Sequence, residues 1–385
     1  MLRCLHLADL HLGWSPSDLP DDKAGARRQE RDLLLKRAVD FALEPANRIG
    51  MVIIAGDLFE SHRPDPAVVE EAVRQLERLV RAGVFLLTVP GNHDEITYHD
   101  SVFRRLGGSW PGVLVRNPMP ELVASESVKG VPVHVYSLAY TGGLTRVSEL
   151  ATLPSAQGPG VNIGVFHCSL GWGTSDRSLP IPPGALEAAG YTYAALGHVH
   201  RHERARLGGR GLAVYPGMVE AKGFDDPGTG ELTVVDFTDT GTGWTASVKT
   251  SHVPARKYVS VEIEASASRS YDELVDACRV EAGADQDALV RIELKGVPPF
   301  AVDADALARS LSREYFFVEV VDDTSFFNAG VGSLYASEPT IRGHFVKRLM
   351  ARLEQAREER EKRVLELALR KGLAAFGAGE GGDER

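Results

Sequence analysis

Short apolar, β-branched runs recur along the first 240 residues, and each ends close to a Gly, Asp or His. Runs of this length, bounded by such residues, are typical of core strands. The pattern predicts strands over residues 2–7, 51–54, 85–89, 133–138, 161–166, 193–196 and 232–237.

Between the first three strands the pattern changes to a helical one. Val68, Ala72 and Leu76 repeat at helical spacing, and we predict helices over 29–41 and 67–81. Alternating strands and helices indicate a layered α/β domain, and the closer strands after residue 134 indicate a sheet sandwich flanked by helices. We place this domain at residues 1–250.

A new pattern starts after Pro254. Strands over 258–263, 288–294 and 316–321 alternate with helices over 271–281 and 303–312, which predicts a small α/β domain at 255–325. The Gly- and Ser-containing stretch 326–338 is predicted to be a linker. An i,i+4 apolar pattern predicts helices over 339–373, followed by a flexible tail, 374–385.

Composition narrows the class of protein. No apolar run has the roughly 18 residues that a membrane span needs, and the N-terminus does not follow the plan of a signal peptide, so we expect a cytoplasmic protein that does not contact a membrane. The chain has three cysteines, Cys4, Cys168 and Cys278, without CxxC spacing. This pattern argues against a disulfide framework or a zinc ribbon and predicts reduced thiols.

The charge is unevenly distributed. The formal net charge is −10, so nucleic-acid affinity would have to come from a local basic patch or from bound metal. Residues 341–372 contain ten Lys and Arg against five Asp and Glu. Such a run by itself is explained by a solvated helix with i,i+4 ion pairs, and a partner-binding helix is the alternative.

Polar side chains with metal-ligand chemistry follow successive strands. They are Asp9, His11, Asp57, Asn92, His93, Asp94, His167, His198 and His200. One His or Asp at a strand end is commonly a turn residue, but five such blocks in order are not explained in that way. The carboxyl ends of strands in α/β sheets converge on one crevice. Carboxylate, imidazole and amide ligands without thiolate favour Mn²⁺, Fe or Zn²⁺, and their number suits two ions.

These blocks resemble a known family. DxH, GDxF, GNHD, a lone His after a strand and GHxH are the five blocks of the calcineurin-like metallophosphoesterase superfamily. Within it, GDLF, the YPG at 215–217, the small α/β domain and the basic C-terminal helices resemble the SbcD-type DNA repair exonucleases, including the meiotic-recombination nuclease and YhaO-like branches. The resemblance implies a four-layer sandwich of two mixed β-sheets flanked by helices, with a small α/β capping domain and C-terminal helices.

The resemblance also implies roles for the site residues. It assigns the first metal to Asp9, His11 and His200, the second metal to Asn92, His167 and His198, and the bridging position to Asp57. His93 would stabilise the transition state or protonate the leaving oxygen, with Asp94 placed to orient it.

The sequence departs from the family at one position. Several relatives have a His three residues after the bridging Asp, where it contacts substrate phosphate, but this chain has Glu60. Glu60 itself is a substrate-binding candidate, His62 two positions further on is a candidate to substitute for the His, and Tyr215 is a third candidate.

The resemblance implies a Mn²⁺-dependent DNA nuclease acting in double-strand break repair. It would be a 3′–5′ exonuclease that leaves a 5′ phosphate, with endonuclease activity as an open option. Implied partners are DNA, an SMC-like coiled-coil ATPase of the SbcC type docked on the C-terminal helices, and a second copy of the chain. Two alternatives remain: a phosphatase or phosphodiesterase acting on a small phosphoester, and a metal-containing scaffold without catalysis.

Overall fold

The computed structural model describes residues 1–142, 150–171, 179–209, 211–226, 228–298, 300, 302–324 and 336–377 of the 385-residue chain. The chain forms two compact units, Met1–Arg256 and Lys257–Arg385. Most of the predicted linker 326–338 and of the predicted tail 374–385 lies outside the described residues. Among the helices that are described, none has the length and apolar character needed to cross a membrane.

The strands of the first unit are, in chain order, β1 Leu2–Leu7, β2 Met51–Ala55, β3 Phe85–Val89, β4 Val113–Leu114, β5 Glu121–Val128, β6 Val131–Ser137, β7 Val161–His167, β8 Ser169–Leu170, β9 Pro180–Ile181, β10 Tyr193–Gly197, β11 Glu203–Arg206, β12 Leu212–Tyr215, β13 Glu231–Asp239 and β14 Trp244–His252. Its helices are α1 Asp21–Asp32, α2 Leu34–Leu43, α3 Pro66–Arg81, α4 Val102–Leu106 and α5 Pro183–Ala189, with short 3-10 turns at Pro45–Asn47 and Gly107–Ser109.

The predicted helix 29–41 is two helices, α1 and α2, joined at Leu33. Helix α1 begins at Asp21, well before residue 29, and its buried residues are Arg27 and Arg31. The search for apolar positions at helical spacing does not detect such a helix, because the residues that it buries are arginines. Helix α3 begins at Pro66, preceded by Asp65, whose side chain accepts a hydrogen bond from the amide of Ala67 and so caps the helix.

Two six-stranded mixed sheets form the first unit. The first has the order β14-β13-β1-β2-β3-β4, with β1 to β4 parallel and β13 antiparallel to β1. The second has the order β11-β12-β10-β7-β6-β5, with β6, β7, β10 and β12 parallel and both edge strands antiparallel. Strands β8 and β9 form a separate parallel pair.

The two sheets pack face to face, and helices cover their outer faces. Along β10, Tyr193 and Ala195 belong to the core shared by both sheets, whereas Ala194 and Leu196 pack in the cluster that contains Leu186 of α5. Strand β10 is therefore buried on both faces, which explains its uninterrupted apolar run. Helices α2 and α3 pack on each other, and their apolar residues join the core of the first sheet. The prediction of two mixed sheets flanked by helices is confirmed.

The central strands of the two sheets meet where their carboxyl ends lie. Strand β2 packs against β7 and β10 across the interface. Gly197 at the end of β10 lies so close to β2 that a Cβ built on it would be 1.9 Å from the carbonyl oxygen of Ala55. Since β1, β2, β3, β7 and β10 each end beside this contact, the loops that follow them share one space.

The second unit starts with a parallel sheet of three strands, β15 Tyr258–Glu264, β16 Leu289–Lys295 and β17 Phe317–Asp322. Helices α6 Tyr271–Ala282 and α7 Ala304–Leu311 connect these strands, and a 3-10 turn occupies Ala265–Ala267. Two longer helices follow, α8 Ile341–Gln355 and α9 Glu359–Gly377. They pack on each other through a small apolar cluster that contains Val346, Leu369 and Leu373.

Candidate metal centre

The loops after β1, β2 and β10 hold four candidate ligands in the left-handed region of the backbone. The φ angles are 55° at Asp9, 48° at His11, 49° at Asp57 and 99° at His198. A non-glycine residue in this region costs about 1–3 kcal/mol and persists only where its surroundings enforce it. Here the Asp9 amide donates to the Gly56 carbonyl at 3.1 Å, and the His11 amide donates to the Asp57 carbonyl at 3.0 Å. Strain of this kind concentrates at functional sites.

Side chains at or just after the ends of β1, β2, β3, β7 and β10 form three overlapping groups of potential ligands among the described residues. Within each group the ligand atoms lie within 4.8 Å of one another, and the groups are Asp9–His11–His200, His11–Asp57–His93 and Asp9–Asp57–His167. Asp9 and Asp57 are buried. Two buried carboxylates this close together require compensating positive charge.

The orientation of His167 fits a bound cation. Its Nδ1 lies 2.9 Å from the carbonyl oxygen of Ala55, which can only accept, so Nδ1 carries the proton. Its Nε2 then points a lone pair at the Oδ1 of Asn92, 2.9 Å away, and at the Oδ2 of Asp57, 3.3 Å away. When the imidazole is neutral, three electron-pair donors converge on one point; when it is protonated, the Nε2 proton lies there instead. A metal ion satisfies all three, and a metal-bound His characteristically donates its other N–H to such a partner.

Two more histidines are held in the same way. His200 Nδ1 lies 2.5 Å from the Oδ2 of Asp226, and His11 Nδ1 lies 2.8 Å from the Oε2 of Glu60. Carboxylates accept the Nδ1 protons, so both Nε2 atoms are left as electron-pair donors, 3.4 Å apart. Both rings therefore direct their Nε2 atoms into the space beside Asp9.

Asn92 joins His198 to this arrangement. Its Oδ1 lies 3.0 Å from the Nδ1 of His198 as well as beside His167. The backbone amide of His198 donates to both carboxylate oxygens of Asp9, at 3.1 and 3.2 Å. The carboxylate of Asp9 is thus fixed by the strand end that carries His198.

Burial and neighbouring charges shift the pKa values of these groups. Burial raises the pKa of Asp9 to about 6 and lowers the pKa of His11 to about 4. Burial alone would lower the pKa of His167, but the carboxylate of Asp57 beside it raises that pKa to about 9. Burial likewise opposes ionisation of Asp57, yet the nearby imidazoles, His167 foremost, hold the pKa of its carboxyl well below the usual range. The Asp57–His167 pair thus favours opposite charges, whereas burial disfavours the charged forms of Asp9 and His11.

His93 lies at the edge of the group. Its backbone amide donates to Asp57 Oδ1 at 2.8 Å, its Nδ1 lies 3.0 Å from the carbonyl oxygen of Glu60, and its ring meets that of His11 edge-on at 4.7 Å. Asp94, expected to orient this ring, has backbone partners. Asp94 is buried and accepts hydrogen bonds from the amides of Gly91, at 2.7 Å, and Phe59, at 3.1 Å. Its short side chain holds the loop, while the Glu60 carbonyl orients His93.

The three proposed substrate-binding residues have different surroundings. Glu60 lies at the centre, beside His11. His62 stacks on Tyr98, with ring centroids 4.1 Å apart, and the structure does not bring it into the groups of potential ligands described above. Tyr215 is buried, and its hydroxyl donates to the carbonyl of Cys168 at 3.0 Å and accepts from the Leu170 amide at 2.9 Å. It fixes the chain after β7.

Two residues of the centre were not predicted from the sequence. They are Asp226, which holds His200, and Lys222, whose Nζ lies 2.6 Å from the Oε2 of Glu60. Both lie in an irregular segment after β12, so no strand end marks them. The only signal is an acidic, glycine-rich stretch that follows the YPG block.

The comparison with protein families agrees with this geometry. The calcineurin-like phosphoesterase family matches residues 2–202, which is 201 of the 385 residues. The chain belongs to this family. Its site and fold define a metal-dependent phosphoesterase whose His and Asp side chains are consistent with a dinuclear metal site.

The chain is similar to several individual relatives. A DNA double-strand break repair protein Mre11 of Methanopyrus kandleri is 28% identical over 57% of this chain and 49% of its own length. The uncharacterized metallophosphoesterase YhaO of Bacillus subtilis is 23% identical over 59% of this chain and 55% of its own. The Mre11 of Sulfolobus acidocaldarius is 20% identical over 82% of this chain and 80% of its own. The chain thus spans about half the length of the first two relatives and is distantly related to Mre11 nucleases.

Proposed function

We propose that this protein is a DNA nuclease of the SbcD type, acting as a 3′–5′ exonuclease in double-strand break repair. The observation that carries the proposal is the similarity to Mre11, which in one relative extends over 82% of this chain and so beyond the phosphoesterase domain. The metal centre supplies the chemistry that phosphodiester hydrolysis needs.

The residues of the centre fall into two sets around a shared carboxylate. Asp9, His11 and His200 would hold one ion, Asn92, His167 and His198 would hold the other, and Asp57 would be shared by both. Two divalent ions bound there supply Lewis-acid polarisation of a phosphoryl group and lower the pKa of water. The mixed oxygen and nitrogen ligands suit Mn²⁺.

His93 handles the proton of the leaving group. Its Nδ1 donates to the Glu60 carbonyl, 3.0 Å away, so a second proton can reside only on Nε2. That proton passes to the 3′ oxygen of the cleaved bond, which leaves a 5′ phosphate on the released nucleotide. The ring is then neutral. Its Nδ1–H still donates to the carbonyl of Glu60, so the ring keeps its orientation through the step.

The second unit is proposed to guide DNA and to recruit an SMC-like coiled-coil ATPase of the SbcC type. Helices α8 and α9 bury one apolar cluster between them, yet Ile341, Val364 and Leu367 remain exposed. Exposed apolar residues on a basic helix pair suit a coiled coil with complementary charge. A homodimer of the chain is a further proposal that follows from the family resemblance.

A second candidate function is hydrolysis of a small phosphodiester or phosphomonoester. Two observations favour it: the net charge of −10, which repels a polyanion, and the presence of Glu60 where relatives contact phosphate with a His. The two functions share the same metal centre, and they differ in whether a long DNA strand can be held.

One assay separates these candidates. Purified protein with Mn²⁺ is given 3′-labelled duplex DNA, single-stranded DNA and bis(p-nitrophenyl) phosphate, with and without the ATPase. Release of labelled 5′ mononucleotides supports the nuclease. Cleavage of the small diester alone, with and without the ATPase, supports the second candidate and rejects the first. Failure to hydrolyse any of the three, and also the monoester p-nitrophenyl phosphate, rejects both in favour of a non-catalytic metal scaffold.

A further inference from the structure

One short segment, residues 220–226, reaches two histidines of the same proposed metal position. Asp226 holds the Nδ1 of His200 at 2.5 Å, and Lys222 contacts Glu60, which holds the Nδ1 of His11. The segment is a tight turn, since the Lys222 amide donates to the Asp226 carbonyl at 3.1 Å. Two residues four positions apart thus act on two different imidazoles.

Buried arginines of α1 anchor this segment. Arg27 Nη1 lies 3.0 Å from the Oε2 of Glu220, and Arg31 Nη2 donates to the carbonyl of Ala221 at 2.6 Å. Both arginines are fully buried. Charged groups removed from water must be closely paired and therefore resist displacement. The backbone at Ala221 is thus held in place, and with it the position of the next residue, Lys222.

Glu60 is shared between a metal ligand and a lysine. One oxygen, Oε2, lies 2.8 Å from His11 Nδ1 and 2.6 Å from Lys222 Nζ. Lys222 Nζ is itself 3.4 Å from His11 Nδ1. The ammonium offsets the carboxylate charge, so the acidic residue at this position does not by itself repel a phosphate.

His93, His200 and Lys222 form an accessible part of the centre. Their side chains are 36%, 28% and 16% exposed, respectively, whereas the side chains of Asp9 and Asp57 are buried. A substrate therefore reaches the metal position from the side where Lys222 and His93 lie. The centroid of the Trp14 ring lies 6.0 Å from Lys222 Nζ.

We propose that Lys222 binds a non-bridging oxygen of the substrate phosphoryl group, replacing the His that several relatives place three residues after the bridging Asp. Glu60 and Asp226 are positioning residues: Glu60 holds Lys222 and His11, and Asp226 holds His200. This inference rests on the proposed phosphoesterase chemistry and names the residue that recognises phosphate. An ammonium has three donors; one is directed at Glu60, and the others are available to a phosphoryl oxygen.

The first test measures phosphate binding directly. Isothermal titration of inorganic phosphate into the Mn²⁺-loaded full chain compares wild type with Lys222→Met. Loss of one charge-assisted hydrogen bond predicts about 30-fold weaker phosphate binding, with Mn²⁺ content by elemental analysis unchanged. Lys222→Arg keeps the charge and should recover most of the affinity. Lys249→Met is the matched control, because Lys249 pairs with Asp236 on the strand pair β13–β14.

Unchanged phosphate affinity in Lys222→Met with full Mn²⁺ content would overturn the proposal. Equal losses in Lys222→Met and Lys249→Met would also overturn it, since they would indicate a general charge effect.

The second test concerns the positioning residues. Replacing the carboxylate by a neutral amide in Glu60→Gln or Asp226→Asn should weaken Mn²⁺ binding by about 10- to 100-fold, because the Nδ1 proton of the histidine loses its charged acceptor. The Glu60→Gln and Lys222→Met effects on phosphate affinity should be non-additive, because the two side chains are in contact. Additive effects, or wild-type Mn²⁺ affinity in both carboxylate variants, would contradict these roles.

Failure of the nuclease proposal is distinguishable from failure of this inference. If the wild type binds phosphate but cleaves no DNA, the nuclease proposal fails, and the Lys222 variants still report on phosphate recognition. If the wild type cleaves DNA and Lys222→Met leaves both phosphate affinity and KM unchanged, the nuclease stands and this inference fails.

Discussion

The Nδ1 atom of His167 lies 2.9 Å from the carbonyl oxygen of Ala55, so one hydrogen bond joins a strand of each sheet directly beneath the metal centre. This contact fixes the tautomer of His167 and directs its Nε2 toward Asp57 and Asn92. The interface between the sheets thereby sets the orientation of a proposed metal ligand. A change in the spacing of the two sheets would therefore displace the His167 ring.

Gly56→Ala should break this relationship. A Cβ at residue 56 would lie 2.1 Å from His167 Nδ1, and the φ of +95° is unfavourable for alanine. We expect loss of Mn²⁺ content and a lower Tm, measured by elemental analysis and thermal denaturation. Gly25→Ala is the control: nothing lies within 4 Å of a Cβ there, and alanine within α1 should stabilise by about 0.5–1 kcal/mol. Wild-type Mn²⁺ content in Gly56→Ala would refute the prediction.

Asp57→Asn should remove bound metal and all hydrolysis. The amide keeps an oxygen that can accept from the His93 amide, now 2.8 Å from Asp57 Oδ1, so the fold should persist while the negative charge between the ions is lost. Metal content and turnover of bis(p-nitrophenyl) phosphate are the measurements. Asp40→Asn serves as the control, because Asp40 pairs with Lys36 on an exposed helical face. Retained metal in Asp57→Asn would show that it does not bridge the ions.

His93→Gln should have the opposite profile. The backbone contact of residue 93 with Asp57 remains, so metal content should stay at the wild-type level. Turnover should fall by about 10²- to 10⁴-fold, because proton transfer to the leaving oxygen is lost. The comparison is made at saturating Mn²⁺ with metal content measured on the same samples. If this variant lost metal as fully as Asp57→Asn, His93 would be a ligand.

Stability should depend on pH through His6, which is buried and contacts the hydroxyl of Tyr193 at 2.8 Å. Burial lowers the pKa of His6 to about 3, whereas an unfolded His titrates near 6.5, on the order of its free value. Below that pH the unfolded chain binds a proton that the folded chain does not. The contribution of neutral His6 to the free energy of unfolding is therefore fully present above about pH 6.5 and is lost as the pH falls toward about 3.

The comparison for His6 is urea unfolding of wild type and His6→Gln between about pH 7 and pH 4, with chelator present throughout. One titrating group contributes a slope of at most about 1.4 kcal/mol per pH unit. The variant should lack this part of the slope whatever its absolute stability. Parallel pH profiles for the two proteins would contradict the assignment.

Binding of the ATPase should depend on the exposed apolar residues of α9. Val364→Asp combined with Leu367→Asp should abolish association with a coiled-coil ATPase of the SbcC type in a pull-down, while hydrolysis of the small diester continues. Val280→Asp is the matched control, because Val280 is an exposed apolar residue of α6 in the same unit. Retained association of the double variant would reject α9 as the docking site.

Central elements of the fold were predictable because they are buried on both faces. The bounds of β1 and β3 agree with the predicted ones, and those of β2, β7 and β10 extend them by one residue. Edge strands were missed for the converse reason. Strand β11, with the sequence ERAR, is exposed along its whole length, and β5 is polar and mostly exposed. Their pairing depends on neighbouring strands, which local periodicity does not report.

The sequence by itself determined which side chains could serve as ligands and that they follow strands, because each block is a strand end with its own turn residues. Tertiary structure alone decided what those side chains contact. Glu60 meets Lys222 across 162 positions, and the side chains of Asp94 and Tyr215 bind backbone groups. Such contacts depend on how loops from different strands pack around a common space, and a local pattern of residues carries no record of that packing.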